Sequence, residues 1–163
     1  MSKANPYDGF LDGRPLIEIL STTPDVVSTL LAKIGEARAT AAPAPGKWSA
    51  AEIVAHLADC DLVFGFRLRQ TLAEDAPVIQ PFDQDKWAAT YPGVTAAQAF
   101  AAFASLRAWN LHLIELALPT SAGRKMIHPE RGEMTFQTVV ETMAGHDLNH
   151  LGQLRRIAEA KGA

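Results

Sequence analysis

The sequence predicts an all-α fold, a four-helix bundle with a long irregular connection between its second and third helices. Three observations support this class. Four segments place apolar residues three and four positions apart, which is the spacing of one helix face. Two of these segments begin with a capping box. Stretches rich in proline and glycine separate the segments, and little in the sequence favours strands.

Length and composition indicate one globular domain. The 163 residues suit a single core, so we assign residues 1–163 to one domain and expect residues 1–14 to be irregular. The net charge of -3 and the pI near 5.9, with Lys and Arg scattered, argue against nucleic acid or an anionic membrane as a partner. No apolar run approaches the roughly 20 residues of a membrane span, and the start lacks the apolar centre of a signal peptide. We therefore expect a cytoplasmic protein.

The first predicted helix begins at the Thr-Pro-Asp sequence of residues 23–25. The threonine supplies a capping hydroxyl, proline suits the first helical position, and the aspartate favours the positive end of the helix dipole. A shorter helical piece at residues 16–20 can precede it, and the prolines and glycine of APAPGK end it. Its apolar face consists of Val27, Leu30, Leu31 and Ile34.

The second predicted helix has the clearest start in the chain. Ser49 and Glu52 form a capping box, and Trp48 can pack on Ile53 as a hydrophobic staple. This places His56 within an apolar stripe and not on the solvent side. The stripe consists of Ile53, His56, Leu57, Cys60, Val63, Phe64 and Leu68.

Two further helices complete the predicted bundle. The third spans roughly residues 96–118, starts with the capping box Thr95 and Gln98, and ends at Pro119. The fourth spans roughly residues 136–160 and follows Thr135 as its cap. Its apolar seam consists of Val139, Met143, His146, His150, Leu154 and Ile157, so two histidines one turn apart lie inside it.

Together His56, His146 and His150 predict a metal site. A buried imidazole needs a hydrogen-bond partner or a metal, and desolvation favours its neutral, metal-binding form. One ion bound at about 2.0–2.1 Å per nitrogen meets this need for all three residues. Three protein ligands leave a position free for water or substrate. The alternative at this point is that each histidine is an ordinary core residue with a hydrogen-bond partner.

Other chemistries find less support. Asp147 stands where a zincin metalloprotease carries its glutamate base, and the Glu-x-x-His repeats of di-iron bundles are absent. The sequence contains no Gly-rich phosphate loop, serine nucleophile elbow or Cys-x-x-Cys pair. Cys60, the single cysteine, lies among apolar residues and is interpreted as a buried thiol, not a nucleophile.

Several residues are weaker candidates. Asp59 can orient a ligand or accept a proton, or else it is a solvated residue or a partner of Arg67; Gln153 lies on the histidine seam, or else is a plain boundary residue. His112 is expected to face solvent or a helix neighbour. His128, next to Pro129 in a loop, is placed so that it can reach the bundle mouth and touch a substrate, and we do not assign it as a metal ligand.

The connection of residues 75–95 is longer than most loops in compact domains, which is typical of a lid or binding loop. Its aromatic residues suit the alternative that it only covers the end of the bundle.

Four stretches, in this order and spacing, resemble the DinB-like superfamily of four-helix bundles: KWSAAEIVAHLADCD, WAATYPG, IHPERGEMTF and HDLNHLGQLRRI. The resemblance covers roughly residues 15–160. It implies a divalent metal ion, most often nickel or zinc, held by His56, His146 and His150, in a bundle that often forms a homodimer.

For function, the resemblance implies an enzyme that acts on a small molecule. Relatives with assigned chemistry are mainly thiol-dependent S-transferases and isomerases that use bacillithiol, mycothiol or glutathione, and others are described as metal-dependent hydrolases. The expected reaction is S-transfer with a low-molecular-weight thiol. Metal-dependent hydrolysis and a non-catalytic bundle, in which the metal stabilises a dimer, are the alternatives.

Overall fold

The computed structural model describes residues 4–160 and confirms the four-helix bundle. Each long helix packs chiefly on two neighbours, in the order Leu16–Ile34, Phe136–Glu159, Ala50–Ala73 and Ala96–Ser121 around the bundle. No helix within residues 4–160 has the length and apolarity that a membrane span requires. The elements are a 3-10 turn Asp8–Phe10, the four long helices α1 Leu16–Ile34, α3 Ala50–Ala73, α5 Ala96–Ser121 and α6 Phe136–Glu159, the short helices α2 Glu36–Ala39 and α4 Gln84–Ala88, and the strands β1 Lys125–His128 and β2 Gly132–Thr135.

Side-chain caps fix the starts of three long helices where the sequence predicts them. At α3, Ser49 Oγ accepts from the backbone N–H of Glu52 at 3.2 Å, and Glu52 Oε2 accepts from the backbone N–H of Ser49 at 2.7 Å. Thr95 and Gln98 form the same reciprocal pair at the start of α5. At α6, Thr135 Oγ1 accepts from the backbone N–H of residue 138 at 3.1 Å. The two helices that carry the candidate histidines therefore have well-defined starts.

The predicted start of the first helix at residues 23–25 is wrong. Helix α1 runs without a break from Leu16, and Pro24 lies inside it. Thr23 does not act as a cap, because its Oγ1 donates to the carbonyl of Ile19 at 2.8 Å. Pro24 has no N–H for the carbonyl of Leu20, and Arg107 Nη1 donates to that oxygen instead at 3.2 Å. A residue from another helix thus compensates for the proline.

The third predicted helix also continues past its expected end. Helix α5 includes Pro119 in its last turn and ends at Ser121. The N–H that this proline lacks would reach back to a carbonyl of the exposed last turns, where water can satisfy the oxygen. A proline this close to a helix end therefore does not stop the helix.

Two short strands form a hairpin that the sequence analysis did not anticipate. Strands β1 and β2 pair antiparallel, with Met126 opposite Met134, and both methionines are buried. Val78, in the long connection, forms a parallel bridge with Ile127 of β1. The connection of residues 75–95 is thus partly ordered, since it also contains α4 and the buried Ile79.

A layer of polar side chains divides the interior of the bundle. On one side lies a hydrophobic cluster that includes Ile53, Leu57, Phe103 and Leu154. On the other lies a cluster that includes Leu20, Phe64, Ile114 and Met143. The buried polar layer between them consists of His56, Asp61, Arg107, Asn110, His146, Asp147 and His150. Every one of the four long helices reaches this layer, α1 through its Leu20 carbonyl.

Candidate metal centre

The structure brings the three predicted ligands together inside the polar layer. His56 comes from α3, and His146 and His150 come from successive turns of α6. Their exposed fractions are 2%, 3% and 5%, respectively. The Nε2 atom of His146 lies 3.0 Å from Nε2 of His56 and 3.1 Å from Nε2 of His150. Among the described residues, these three form the group whose ligand atoms can hold a metal ion.

The nitrogen distances fit ligands that share one ion. Two nitrogens bound at about 2.0–2.1 Å lie ~3.3 Å apart around a tetrahedral ion and ~2.9 Å apart at a right angle. Hydrogen bonds between the rings explain the contacts less well. A ring nitrogen is either a donor or an acceptor, so Nε2 of His146 cannot form good hydrogen bonds to both neighbours at once. A cation shared by the three nitrogens would account for both contacts.

Burial keeps these imidazoles in the form that binds metal. Desolvation and the neighbouring His150 lower the pKa of His56 from 6.5 to about 4. Desolvation, followed by the two other histidines, holds the pKa of His146 well below 6.5. The pKa of His150 is also lowered by desolvation, although Gln153 and Asp147 oppose the shift. All three rings are therefore neutral near pH 7 and present lone pairs to an ion.

Gln153 fixes the orientation of one of these rings. Its Oε1 lies 3.1 Å from Nδ1 of His150, the residue that precedes Gln153 by one turn of α6. A hydrogen bond from Nδ1–H to this oxygen places the ring proton on Nδ1 and leaves the Nε2 lone pair free. Such a partner is typical of histidines that bind metals.

Aromatic side chains surround the three imidazoles. The rings of Trp48 and His56 lie 4.8 Å apart, and Tyr7 contacts His146 edge to face at 5.0 Å. A Cβ atom on Gly145 would lie 2.5 Å from the backbone oxygen of Tyr7, so only glycine permits this close approach. The segment before α1 thus covers the site from one side, and Trp48 covers it from another.

A second polar cluster lies directly beside the histidines. Arg107 of α5 donates to both Asp61 of α3 and Asp147 of α6, and Asn110 donates to Asp61 at 3.1 Å. Burial lowers the pKa of Arg107, but the two carboxylates outweigh this effect and raise it above its ordinary value. The guanidinium therefore stays charged and satisfies both carboxylates. We call these four residues the Arg107 network.

One pocket of about 570 Å³ adjoins the site. Its walls include Trp48 and Gln153, the residues that contact His56 and His150, and the charged residues Lys47, Asp85 and Arg156. Asp85 belongs to the long connection of residues 75–95, which thus contributes a residue to the pocket. The volume suits a small molecule. Trp48 and Gln153 thus border both the pocket and the imidazoles.

The weaker candidates lie in different places. Asp59 accepts a hydrogen bond from Tyr91 at 2.7 Å, and Arg67 donates instead to the carbonyl of Gln80. Burial and the bond to Asp59 raise the pKa of Tyr91. Of the two, Gln153 is therefore the one with a direct contact to a candidate ligand.

The other two histidines lie outside the cluster. His112 is exposed and stacks on Trp109, as expected. His128 is not in a loop, because it is the last residue of β1, and its Nδ1 accepts from the backbone N–H of Glu130. Its side chain is buried, which argues against the predicted contact with a substrate.

Cys60 lies closer to the site than its apolar surroundings indicate. It is buried, as predicted, but its Sγ is 3.5 Å from Nε2 of His56 and 3.8 Å from Nε2 of His146. Burial, followed by Asp61, raises the pKa of this thiol. In the absence of a metal the group is therefore a neutral S–H.

Sequence reasoning missed Tyr7, the Arg107 network and the role of Trp48 beside His56. The network left a signal, because Asp61 and Asp147 directly follow two residues of the apolar seams. Charged side chains at such positions require a buried partner. Tyr7 left none, since it lies outside the helices and reaches the site only through tertiary packing.

Comparison with known proteins agrees with this geometry. Residues 19–154 match the family model of the DinB superfamily. A protein of Oceanobacillus iheyensis named "Putative metal-dependent hydrolase" is 26% identical over 117 residues, 71% of this chain and 68% of that protein. The Bacillus subtilis protein YfiT, with the same description, is 21% identical over 90% of this chain and 84% of its own length.

The solved structure of YfiT has the same fold. It superposes with a TM-score of 0.76 at 20% sequence identity, covering 86% of this chain and 84% of the YfiT chain. YfiT is described there as "a probable metal-dependent hydrolase with an unusual four-helix bundle topology". The similarity extends over the bundle that carries the three histidines.

Proposed function

The chain belongs to the DinB superfamily, and from this premise we propose that it is a mononuclear metal-dependent enzyme that transfers a small thiol to an electrophile. His56, His146 and His150 hold a divalent ion, nickel or zinc. The observation that carries the proposal is the convergence of three buried Nε2 atoms, with neighbouring nitrogens 3.0 and 3.1 Å apart. Bacillithiol, mycothiol and glutathione are the candidate thiols.

An ion at this place would supply Lewis acidity, which lowers the pKa of a coordinated thiol or water. The chain's own residues prepare the site for it. Gln153 orients His150, and Trp48 and Tyr7 limit access of bulk water to the imidazoles. The pocket lined by Trp48 and Gln153 provides space for a small molecule next to the site.

The state of the nearby carboxylates favours thiol transfer over hydrolysis. Metal-dependent hydrolases commonly use a carboxylate as a general base toward the attacking water. Here Asp61 and Asp147 both accept hydrogen bonds from Arg107, and Asp59 accepts from Tyr91. Transfer of a thiol needs a lowered thiol pKa but no such base.

Metal-dependent hydrolysis is the second candidate. The names of the relatives in Oceanobacillus iheyensis and Bacillus subtilis support it. The same three histidines would serve either reaction, because a divalent ion can activate water as well as a thiol. The two candidates differ in the product, so product analysis separates them.

The test uses the full chain loaded with zinc or nickel, each of the three thiols, and a chloroalkyl electrophile. The proposed reaction forms a carbon–sulfur bond, breaks the carbon–chlorine bond, and releases chloride and the thiol proton. We expect the thioether to form with wild type and not with His146→Ala. The control is His112→Ala, because His112 is exposed and lies outside the cluster.

Three other results would redirect the proposal. Full metal occupancy of His146→Ala after dialysis would place the metal elsewhere. Release of a hydrolysis product from ester or amide substrates, with no thioether, would favour the hydrolase. A wild type that binds one ion but turns over neither substrate class would indicate a non-catalytic bundle. The homodimer implied by the resemblance and the cytoplasmic location expected from the sequence stay predictions, and sedimentation measurements test the first.

A further inference from the structure

A groove lies between α3 and the long connection of residues 75–95, and it shares no lining residue with the pocket beside the histidines. Its volume of about 550 Å³ suits a small molecule. Its walls are mainly apolar, and the Phe66 side chain at its edge is 64% exposed. The apolar lining residues are Leu62, Val63, Phe66, Pro81, Phe82 and Trp87. Such walls suit the apolar part of a ligand.

A buried cation, Arg67, also lines this groove, and its exposed fraction is 7%. Its Nη2 donates to the carbonyl of Gln80 at 2.8 Å, but its Nε is buried without a hydrogen-bond partner. Within residues 4–160 no carboxylate lies at ion-pair distance from this guanidinium. Arg107, which is also buried, differs because it pairs with two carboxylates. Arg67 therefore lacks the anion that a buried guanidinium normally has.

The charges near Arg67 do not compensate it. Burial lowers the pKa of Arg67, and Arg131, in the turn between β1 and β2, lowers it further. The carboxylate of Asp83 also lines the groove, but it caps α4 and pairs with Lys86 at 3.1 Å. A second positive charge thus lies nearby, and the acid of the lining is already engaged. An anion that enters the groove would stabilise a buried cation in this state.

Phe82 connects this cation to the apolar walls. Its ring centroid lies 6.0 Å from Cζ of Arg67 and 5.0 Å from the ring centroid of Trp87. We propose that the groove binds an apolar small molecule that carries a carboxylate, with the carboxylate on Arg67 and the apolar part against Phe66, Phe82 and Trp87. The planar guanidinium matches a carboxylate in shape and charge.

This site goes beyond the proposed function, because the groove contains none of the three candidate metal ligands. The alternative is that Arg67 only anchors the long connection through its bond to Gln80. The two interpretations differ in a measurable way. An anchor changes the stability of the protein and leaves ligand affinity unchanged, whereas a carboxylate-binding arginine changes the affinity for charged ligands alone.

Isothermal titration calorimetry of the full-length protein with phenylbutyrate, benzoate and octanoate, each compared with its neutral amide, tests the proposal. We expect wild type to bind at least one carboxylate about 10-fold or more tightly than its amide, because only the carboxylate pairs with a guanidinium. Arg67→Gln should lose this difference and keep its affinity for the amide. The matched control is Arg155→Gln, which changes an exposed arginine of α6 and should keep the difference.

Phe66→Glu is the second variant, because Phe66 is exposed and the change places a negative charge at the groove. It should abolish binding of the carboxylate. If Arg67→Gln fails to fold, unchanged carboxylate binding by Phe66→Glu overturns the proposal.

Three further results would overturn the proposal. The first is a wild type that binds no carboxylate better than its amide. The second is an Arg67→Gln protein that keeps the difference and loses only stability. The third is loss of the difference in Arg156→Gln and not in Arg67→Gln, which would place the carboxylate in the pocket beside the histidines.

Discussion

Two neighbouring parts of the polar layer differ in how their buried polar groups are satisfied. In the Arg107 network, one guanidinium donates to Asp61 and Asp147, and each polar group has a partner of opposite charge or a hydrogen bond. In the histidine cluster, three imidazoles face each other with their pKa values lowered, and none faces an anion at hydrogen-bond distance in the contacts above. The first part is complete within the protein. The second presents three buried ring nitrogens that can hold a metal ion.

The difference separates a structural cluster from a binding cluster. A buried polar network with all partners present stabilises one packing of the helices, and removal of one member leaves the others uncompensated. A buried group of ring nitrogens without such partners favours the binding of a ligand that satisfies them. Asp147 links the two parts, because it bonds to Arg107 and also raises the pKa of His150. Its negative charge favours a cation in the neighbouring cluster.

The largest expected effect comes from removing the central charge of the network. Arg107→Met leaves Asp61 and Asp147 buried without their partner and the Leu20 carbonyl without its donor. We expect the free energy of unfolding to fall by about 3–5 kcal/mol, as for other broken buried ion pairs. Urea denaturation measures the change. The control Arg155→Met, at an exposed position of α6, should shift it by no more than about 0.5 kcal/mol. Equal losses in the two variants would show that the network is not structural.

Low pH is expected to destabilise the metal-free protein through the histidine cluster. The folded-state pKa of His56 is about 4 and its unfolded value is 6.5, so the unfolded chain binds more protons between these values. Stability from this residue is complete above pH 6.5 and is lost as the pH falls toward 4. For metal-free protein the loss from His56 is ~3 kcal/mol.

Unfolding of metal-free wild type and His56→Leu at several pH values measures this difference. The variant should lose less stability than wild type over the same range, because its buried side chain does not titrate. Parallel curves for the two proteins would mean that His56 keeps an ordinary pKa, and the contrast between the two parts of the layer would then weaken.

The sequence predicts the features around this layer that depend on neighbouring residues in the chain, and it misses those that depend on tertiary contacts. The starts of α3, α5 and α6 follow from caps that are local in sequence, such as Ser49 with Glu52, and they were predicted to the residue. The start of α1 was predicted wrongly, because proline is normally excluded from the interior of a helix and Pro24 is an exception. Its tolerance depends on Arg107, which is 87 residues from Leu20 in sequence.

The same distinction applies to the site. Three histidines within apolar seams indicated the cluster, since each is polar where the helix period demands an apolar residue. The sequence did not show that Cys60 lies beside His56 and His146, because a free cysteine in an apolar stripe has the pattern of ordinary packing. Tyr7 reaches His146 only because Gly145 leaves room, and this contact has no local signature.

Zinc should stabilise the protein through the histidine cluster and leave the Arg107 network unchanged. Zinc at a free concentration 100 times its Kd is expected to raise the free energy of unfolding of wild type by about 2.7 kcal/mol. His150→Ala should lose most of this increase, because it removes one of three ligands, whereas His112→Ala should keep it. Differential scanning calorimetry with and without zinc measures this increase for wild type and both variants. An undiminished increase in His150→Ala would place the stabilising ion at another site.

The smallest effect concerns Gln153, which orients His150 without binding the ion itself. Gln153→Leu removes the acceptor for Nδ1–H and should weaken metal affinity by about 10-fold or more, which is ~1.4 kcal/mol at the lower end. Gln153→Glu keeps an oxygen at this place and should retain affinity. The control Gln137→Leu changes an exposed glutamine of the same helix, bonded to Glu141, and should leave affinity unchanged. Competition titration against a chelator of known affinity measures all three. Equal affinity in Gln153→Leu and wild type would mean that packing alone holds the ring, and that the cluster depends on its partners less than the Arg107 network does.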